Sequence, residues 1–254
     1  MKIITFFSDF GEKDWFVAAV KGEILKINRN VKVIDITHTI SPFDIKSSAF
    51  SLKSVYKNFP MGTINLVVVD PGVGSERRPI IVQSNNYYFV GPDNGIFSYI
   101  YNKNSKVYKI SFKKTLSSTF HARDISGPVA AKISKGARPK HLGVEVKDYV
   151  KFEFPKIRKM GTTISGEIIY IDHFGNLITN IANNIGLKEL SISKKIIPPK
   201  NFYGEGEIGQ IICVKGSSGY YEIAVNQASA QKILGARLGL EVLAKLQSGR
   251  KSRT

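Results

Sequence analysis

The feature that most constrains this chain is the apolar run Val67-Val68-Val69, which stops at Asp70-Pro71-Gly72-Val73-Gly74. A β-branched run with no polar alternation suits a strand buried on both faces of an α/β sheet. In such sheets, ligands collect beyond the carboxyl ends of the strands, and Asp70 stands at that end. Pro71 fixes the chain direction, while Gly72 and Gly74 permit close backbone approach or φ > 0. Arg77 follows closely enough to fold back over the carboxylate. Taken alone, D-P-G is also an ordinary strand-to-turn junction, so its reading as a site depends on the rest of the chain.

The surrounding pattern is that of βα units. Lys2–Phe7 reads as a strand, Asp14–Ile27 as a helix with Trp15, Ala18, Ala19 and Leu25 turned inward, Val31–Ile36 as a strand and Ile45–Phe59 as a helix. Thr63–Val69 then delivers Asp70. Shorter strands are expected at Ile80–Gln83, Tyr87–Val90 and Val107–Ile110, with a helix near Pro128–Ser134. An irregular stretch around Lys151-Phe152-Glu153-Phe154-Pro155-Lys156 reads as a linker. Beyond it, glycine-punctuated strands (Thr163–Ile171, Leu177–Ile181, Gly209–Val214, Tyr220–Val225, Leu238–Lys245) and a brief helix near Ala228–Leu234 point to a small β-barrel or sandwich. The expected organisation is an α/β catalytic domain over residues 1–150 and a β-barrel domain over 161–248.

Bulk properties narrow the function. The 254 residues suffice for two modest domains, and no apolar run approaches the ~18 residues of a membrane span. A lone Lys before a short apolar stretch does not make a secretory leader, so a cytoplasmic location is expected. The single cysteine, Cys213, lies in the apolar run Ile211–Val214 and reads as a core filler. The net charge of +17 invites a nucleic-acid reading. Yet the lysines are scattered, the one tight cluster is the tail Arg250-Lys251-Ser252-Arg253, and no nucleic-acid-binding motif is present, so no specific nucleic acid is expected. His38, His121, His141 and His173 lie far apart, which gives no metal-ligand cluster.

Two strings mislead. Asp9-Phe10-Gly11 matches the kinase D-F-G and His121-Ala122-Arg123-Asp124 echoes its catalytic loop, but their order is reversed and the other kinase elements are missing. Gly72-Val73-Gly74 lacks the remainder of a phosphate-binding fingerprint.

What accumulates is a set of polar segments in turns: Ser8-Asp9-Phe10-Gly11, Asp70 to Arg78, Gly91-Pro92-Asp93-Asn94-Gly95, Phe120-His121-Ala122-Arg123-Asp124, Asp172-His173-Phe174-Gly175-Asn176 and Gly216-Ser217-Ser218-Gly219-Tyr220. In order and in both halves, they resemble the S-adenosyl-L-methionine hydroxide adenosyltransferases, hydrolase relatives of fluorinase and chlorinase. The resemblance runs from Ile3 to about Leu243. It implies an N-terminal Rossmann-like α/β domain, a C-terminal small β-barrel, and hydrolysis of S-adenosyl-L-methionine without a cofactor. It also implies a homotrimer with active sites between subunits.

The same resemblance assigns a hydrolytic trio to Asp70, Arg77 and His121. A sulfonium departs as a neutral thioether and needs no acid, so the chemistry reduces to aligning one water and taking its proton. Asp70 would take that proton directly or through His121, and Arg77 would hold the carboxylate ionised. Asp9 corresponds to the carboxylate that accepts the ribose hydroxyls, and Phe43 to an aromatic wall. Asp172 and Asn176 correspond to the grip on the methionine amino group, and Ser217 lies toward the carboxylate. Phe174 is an adenine-side or a packing aromatic. Ala122 stands where the halogenating relatives carry serine, and Ser218 where fluorinase carries an arginine. The rivals are a halogenase of the same superfamily and a non-catalytic binder of an adenosyl ligand or nucleic acid.

Overall fold

The computed structural model describes residues 2–112 and 118–247. The tail Arg250–Arg253 and the last position of the 161–248 range lie outside them. The described residues fall into two compact units, one up to Glu153 and one from Phe154 onward.

The first unit is built on one seven-stranded sheet. Its elements are β1 (Ile3–Ser8), α1 (Phe16–Ile27), β2 (Lys32–Thr37), α2 (Ile45–Val55), β3 (Ile64–Val68), β4 (Pro79–Ser84), β5 (Tyr87–Pro92), β6 (Lys106–Ile110), α3 (Gly127–Ser134) and β7 (Gly143–Val146). The spatial order is β2-β1-β3-β5-β4-β6-β7. The first four run parallel, and β4, β6 and β7 add antiparallel pairings. The parallel half explains the unbroken apolar runs: β3 is buried along its whole length because both faces are covered. On one face, Ile4, Phe6, Leu66 and Val68 meet Val20 and Ile24 of α1 and Val129, Ala130 and Ile133 of α3. On the other, Phe7, Val67 and Phe89 meet Leu52 of α2 and Tyr56 just beyond it.

Helix α1 corrects the expected inward face. It begins at Phe16, two residues later than its sequence pattern suggests, and its buried residues are Val20 and Ile24. Val17, Ala19 and Ile27 flank that stripe. At i, i+3 and i+4 spacing this turns Ala18 and Leu25 to solvent. Trp15 precedes the helix at 59% exposure and packs edge-on to Phe120.

The second unit carries β8 (Arg158–Met160), β9 (Thr163–Ile171), β10 (Leu177–Ala182), β11 (Leu187–Ile192), β12 (Lys195–Ile197), β13 (Pro199–Lys200), β14 (Ile211–Lys215), β15 (Tyr220–Val225), α4 (Ala230–Leu234) and β16 (Glu241–Leu246). They form one sheet in the order β12-β11-β16-β9-β10-β15-β14-β13, with β8 on β9, curled into a nearly closed barrel. Its core holds Ile168, Leu177, Leu190, Ile223 and Val242 together with Cys213. Burial pushes the Cys213 thiol up to about 12, so it is inert packing. The stretch read as a linker is anchored on each side: Phe152 N donates to Ser98 Oγ at 3.0 Å within the first unit, and Phe154 stacks on Tyr220 within the second. No helix among the described residues is long and apolar enough to cross a membrane.

Candidate active site

Strands β1 and β3 lie side by side with Ser8 opposite Val68, so Asp9 and Asp70 leave the same sheet edge at its carboxyl end. Asp9 N donates to Val68 O at 3.4 Å, and Gly11, at φ +72°, donates its N–H to His38 O at 2.7 Å. The Ser8–Gly11 turn is thereby tied to both neighbouring strands. His38 is itself buried and bonded through Nδ1 to Ser8 Oγ at 2.7 Å, which makes it part of the scaffold. Asp9 Oδ2 accepts the Phe43 N–H at 3.0 Å. Phe43 sits at φ +68°, a conformation a bulky L-residue adopts only when its surroundings impose it, and its ring is 68% exposed. Asp9, Phe10, Phe43, Asp70, Phe120 and His121 line a cavity of about 280 Å³.

Arg77 does fold back. Its Nη2 donates to Asp70 Oδ2 and, at 3.3 Å, to His121 Nδ1. A guanidinium has no acceptor, so His121 Nδ1 must accept, and the neutral ring carries its proton on Nε2. Both members of the ion pair are nearly buried, at 9% for Asp70 and 8% for Arg77. Asp70 Oδ1 and Arg77 Nε are buried with no hydrogen-bond partner among the described residues.

The electrostatics differ from the expectation that Arg77 simply holds Asp70 ionised. Burial pushes the Asp70 carboxyl above its ordinary value and outweighs the opposing charge and hydrogen bond of Arg77 and the weaker pull of the Gly72 N–H, while the nearby Asp9 adds to the push. Burial likewise pulls Arg77 down against the charge of Asp70. His121 is lowered first by burial and then by the Arg77 cation, which keeps it neutral. A carboxylate made more basic, beside a neutral imidazole, is suited to accept a proton from a bound water. His121 enters a π-helical turn, Ala122–Ser126, that runs into α3, and Ala122 is buried on the cavity wall.

In the second unit, Asp172 closes the turn between β9 and β10. Its Oδ1 accepts from Phe174 N at 2.9 Å and Asn176 N at 2.8 Å, and its Oδ2 accepts from Asn176 Nδ2 at 2.9 Å. Asp172 and Asn176 are thus bonded to each other. Phe174 is 74% exposed and edge-on to His173. Ser217 is exposed in the turn joining β14 to β15, beside Ser218, whose Oγ is buried and has no partner among the described residues.

Two residues here escaped the sequence reading. Glu222 is buried and accepts from Tyr203 Oη at 2.6 Å. Its carboxyl is pushed up, by burial first and also by Asp172. Its signal was a carboxylate in the apolar strand β15; Tyr203 offered none. Among the described residues no group of three or more His, Cys, Asp or Glu could hold a metal.

Two family models match: the SAM hydroxide adenosyltransferase N-terminal domain over residues 4–143 and its C-terminal domain over 166–243. The chain belongs to the SAM hydroxide adenosyltransferase family. Within that family it is 36% identical to a protein named (R)-S-adenosyl-L-methionine hydrolase from Methanocaldococcus jannaschii, covering 92% of each chain. A fluorinase from Actinoplanes is more distant, 26% identical over 94% of this chain and 96% of that protein. Of solved structures, an uncharacterized conserved protein from Thermotoga maritima superposes with a TM-score of 0.86 at 30% identity, over 95% of this chain and 99% of its own.

Proposed function

We propose that this family member hydrolyses S-adenosyl-L-methionine to adenosine and L-methionine. A water oxygen bonds to the 5′ carbon as the carbon–sulfur bond breaks, its electron pair leaves on the neutral thioether, and Asp70 takes the water's proton. The observation that carries this reading is Asp70 Oδ1, a buried acceptor with no hydrogen-bond partner among the described residues, in a carboxyl that burial has made more basic. Arg77 fixes the opposite oxygen and orients His121, whose Nε2–H is the complementary donor. Asp9 receives the ribose hydroxyls and Phe43 walls the sugar. Asp172, Asn176 and Ser217 take the methionine end, with Phe174 beside the adenine. No metal or cofactor enters this scheme.

A halide nucleophile fits less well. Beside an ionised Asp70 at about 4 Å it would be repelled by about 4 kcal/mol at an effective dielectric near 20. Ala122 also supplies no hydroxyl donor. The closer relationship to a protein named hydrolase than to one named fluorinase supports the same choice.

The assembly in this reading is a homotrimer, with the first unit of one copy completing its site against the second unit of the next, in the cytoplasm. Exposed Phe43 and Phe174 beside the candidate residues support such a partner surface. Incubating purified protein with S-adenosyl-L-methionine and separating the products tests the reading: adenosine and methionine should appear in equal amounts, and intact substrate after long incubation would reject it.

A further inference from the structure

The segment Gly91-Pro92-Asp93-Asn94-Gly95 supplies nothing to the reaction just described, yet it touches both ends of the loop that carries Asp70 and Arg77. At the upstream end, Asn94 Nδ2 donates to Val69 O at 2.8 Å, one residue before Asp70. Gly91 packs so closely on the same strand that a Cβ there would stand 2.2 Å from Val67 O. At the downstream end, Asp93 Oδ2 accepts from Arg78 Nε at 3.1 Å and Nη2 at 2.7 Å, one residue after Arg77. Asp93 N also donates to Arg78 O at 2.8 Å, so backbone and side chain grip the same residue.

Asp93 is itself held. Its side chain is 2% exposed, and Oδ1 accepts the Val150 N–H at 2.8 Å. Arg78 extends outward to Asp148, with Nη1 3.1 and 3.0 Å from its two carboxylate oxygens. The buried carboxylate therefore has donors on both oxygens: Oδ2 takes two charge-assisted N–H bonds from one guanidinium edge and Oδ1 takes the Val150 N–H, which fixes its geometry as well as adding energy.

We infer that Asp93 and Asn94 are positioning residues that clamp the two flanks of the Asp70–Arg77 loop, and so set the contact between Asp70 and Arg77. The inference rests on the reading of Asp70 as the water-holding carboxylate. Neither residue lines the cavity, so their effect passes through Arg77 and Val69. The groups facing Asp70 are Arg77 on its own loop and Asp9 from the end of β1, with His121 beyond Arg77. Asp93 in turn faces Arg77. Displacing Arg77 leaves the burial of Asp70 less opposed, so its carboxyl becomes easier to protonate.

The test is turnover of S-adenosyl-L-methionine against pH in Asp93→Asn and Arg78→Lys, with Asp70→Asn alongside and thermal unfolding of each. Displacement of reacting groups by about 1 Å costs on the order of 10²-fold. We expect kcat to fall about 10-fold or more in Asp93→Asn, with KM changed less than about 3-fold and the acid limb moved to higher pH. Arg78→Lys keeps the charge and loses the fork, and it shifts the limb the same way by less. Folded variants with the parent's kcat and acid limb overturn the inference. If Asp93→Asn does not fold, the limb of Arg78→Lys decides. Full activity in Asp70→Asn removes the underlying reading and this role with it; loss there, with unchanged Asp93 and Arg78 variants, overturns this role alone.

Discussion

Arg77 pairs with Asp70 through Oδ2 alone, which leaves Oδ1 buried and without a partner among the described residues. A symmetric bidentate pair would have engaged both oxygens and left each only its outer lone pair for a water. The one-sided contact leaves the Oδ1 lone pairs unused in a carboxylate that lines the cavity.

Asp70→Asn retains shape and loses basicity. Turnover should fall roughly 10²-fold or more, with affinity for S-adenosyl-L-methionine changed far less. Steady-state kinetics and calorimetric binding check both halves. Undiminished turnover would remove Asp70 from the reaction.

The pH dependence follows from the directions of the shifts. Asp70 must be ionised to accept a proton, and its carboxyl is raised, so activity falls with decreasing pH at a point above the ordinary value of about 3.9. His121 is lowered, so it charges only below the ordinary value of about 6.5, and the site stays in its working state at neutral pH. Both transitions lie on the acid side and appear as macroscopic values of a coupled group. A pH–rate profile still flat at about pH 4 would contradict this assignment.

Two glycines of one loop should behave differently. Gly74 has φ +80°, and a Cβ would stand 2.4 Å from Ser118 O, whereas at Gly72 it would meet Ser75 Oγ at 3.3 Å and touch Arg77 Cβ and Cγ at an ordinary 3.7 and 3.9 Å. Gly74→Ala should therefore shift the Asp70–Arg77 loop and lower turnover about 10-fold or more, while Gly72→Ala stays within about 3-fold. Equal kinetics for the two variants would show that the Ser118 contact is not needed.

The βα pattern of the first unit was legible because strands buried on both faces carry continuous apolar runs, and the polar ends of β1 and β3 marked the sheet edge that bears Asp9 and Asp70. Strands β7, β8, β12 and β13 were missed because they are two to four residues long, too short for any period to register, and the six-residue β11 was missed because a register shift between Leu187 and Glu189 breaks its alternation. Trp15 was misplaced by a helix start two residues out, and of the other expected inward residues Ala19 packs on the core stripe while Ala18 and Leu25 face solvent. The return of Arg77 was legible from spacing. The outcome of its contest with burial was not, because desolvation depends on the walls that Phe10, Phe43 and Phe120 bring from distant segments. The pairing of Tyr203 with Glu222 joins residues 19 apart, one of them in the irregular stretch before β14, and left no local trace.

Trimeric assembly can be tested by complementation. On the proposed roles, Asp70→Asn should disable the first unit's contribution and Asp172→Ala the second's, so mixing the two proteins under subunit exchange should restore part of the activity. Light scattering that shows a fully active monomer would refute the shared site.

The most direct test of the central claim is the fate of oxygen in water enriched in oxygen-18, with molar chloride present. If Asp70 activates water, S-adenosyl-L-methionine should give adenosine labelled at its 5′ oxygen, with methionine unlabelled. Recovery of 5′-chloro-5′-deoxyadenosine as the main product, or of adenosine without the label, would contradict it.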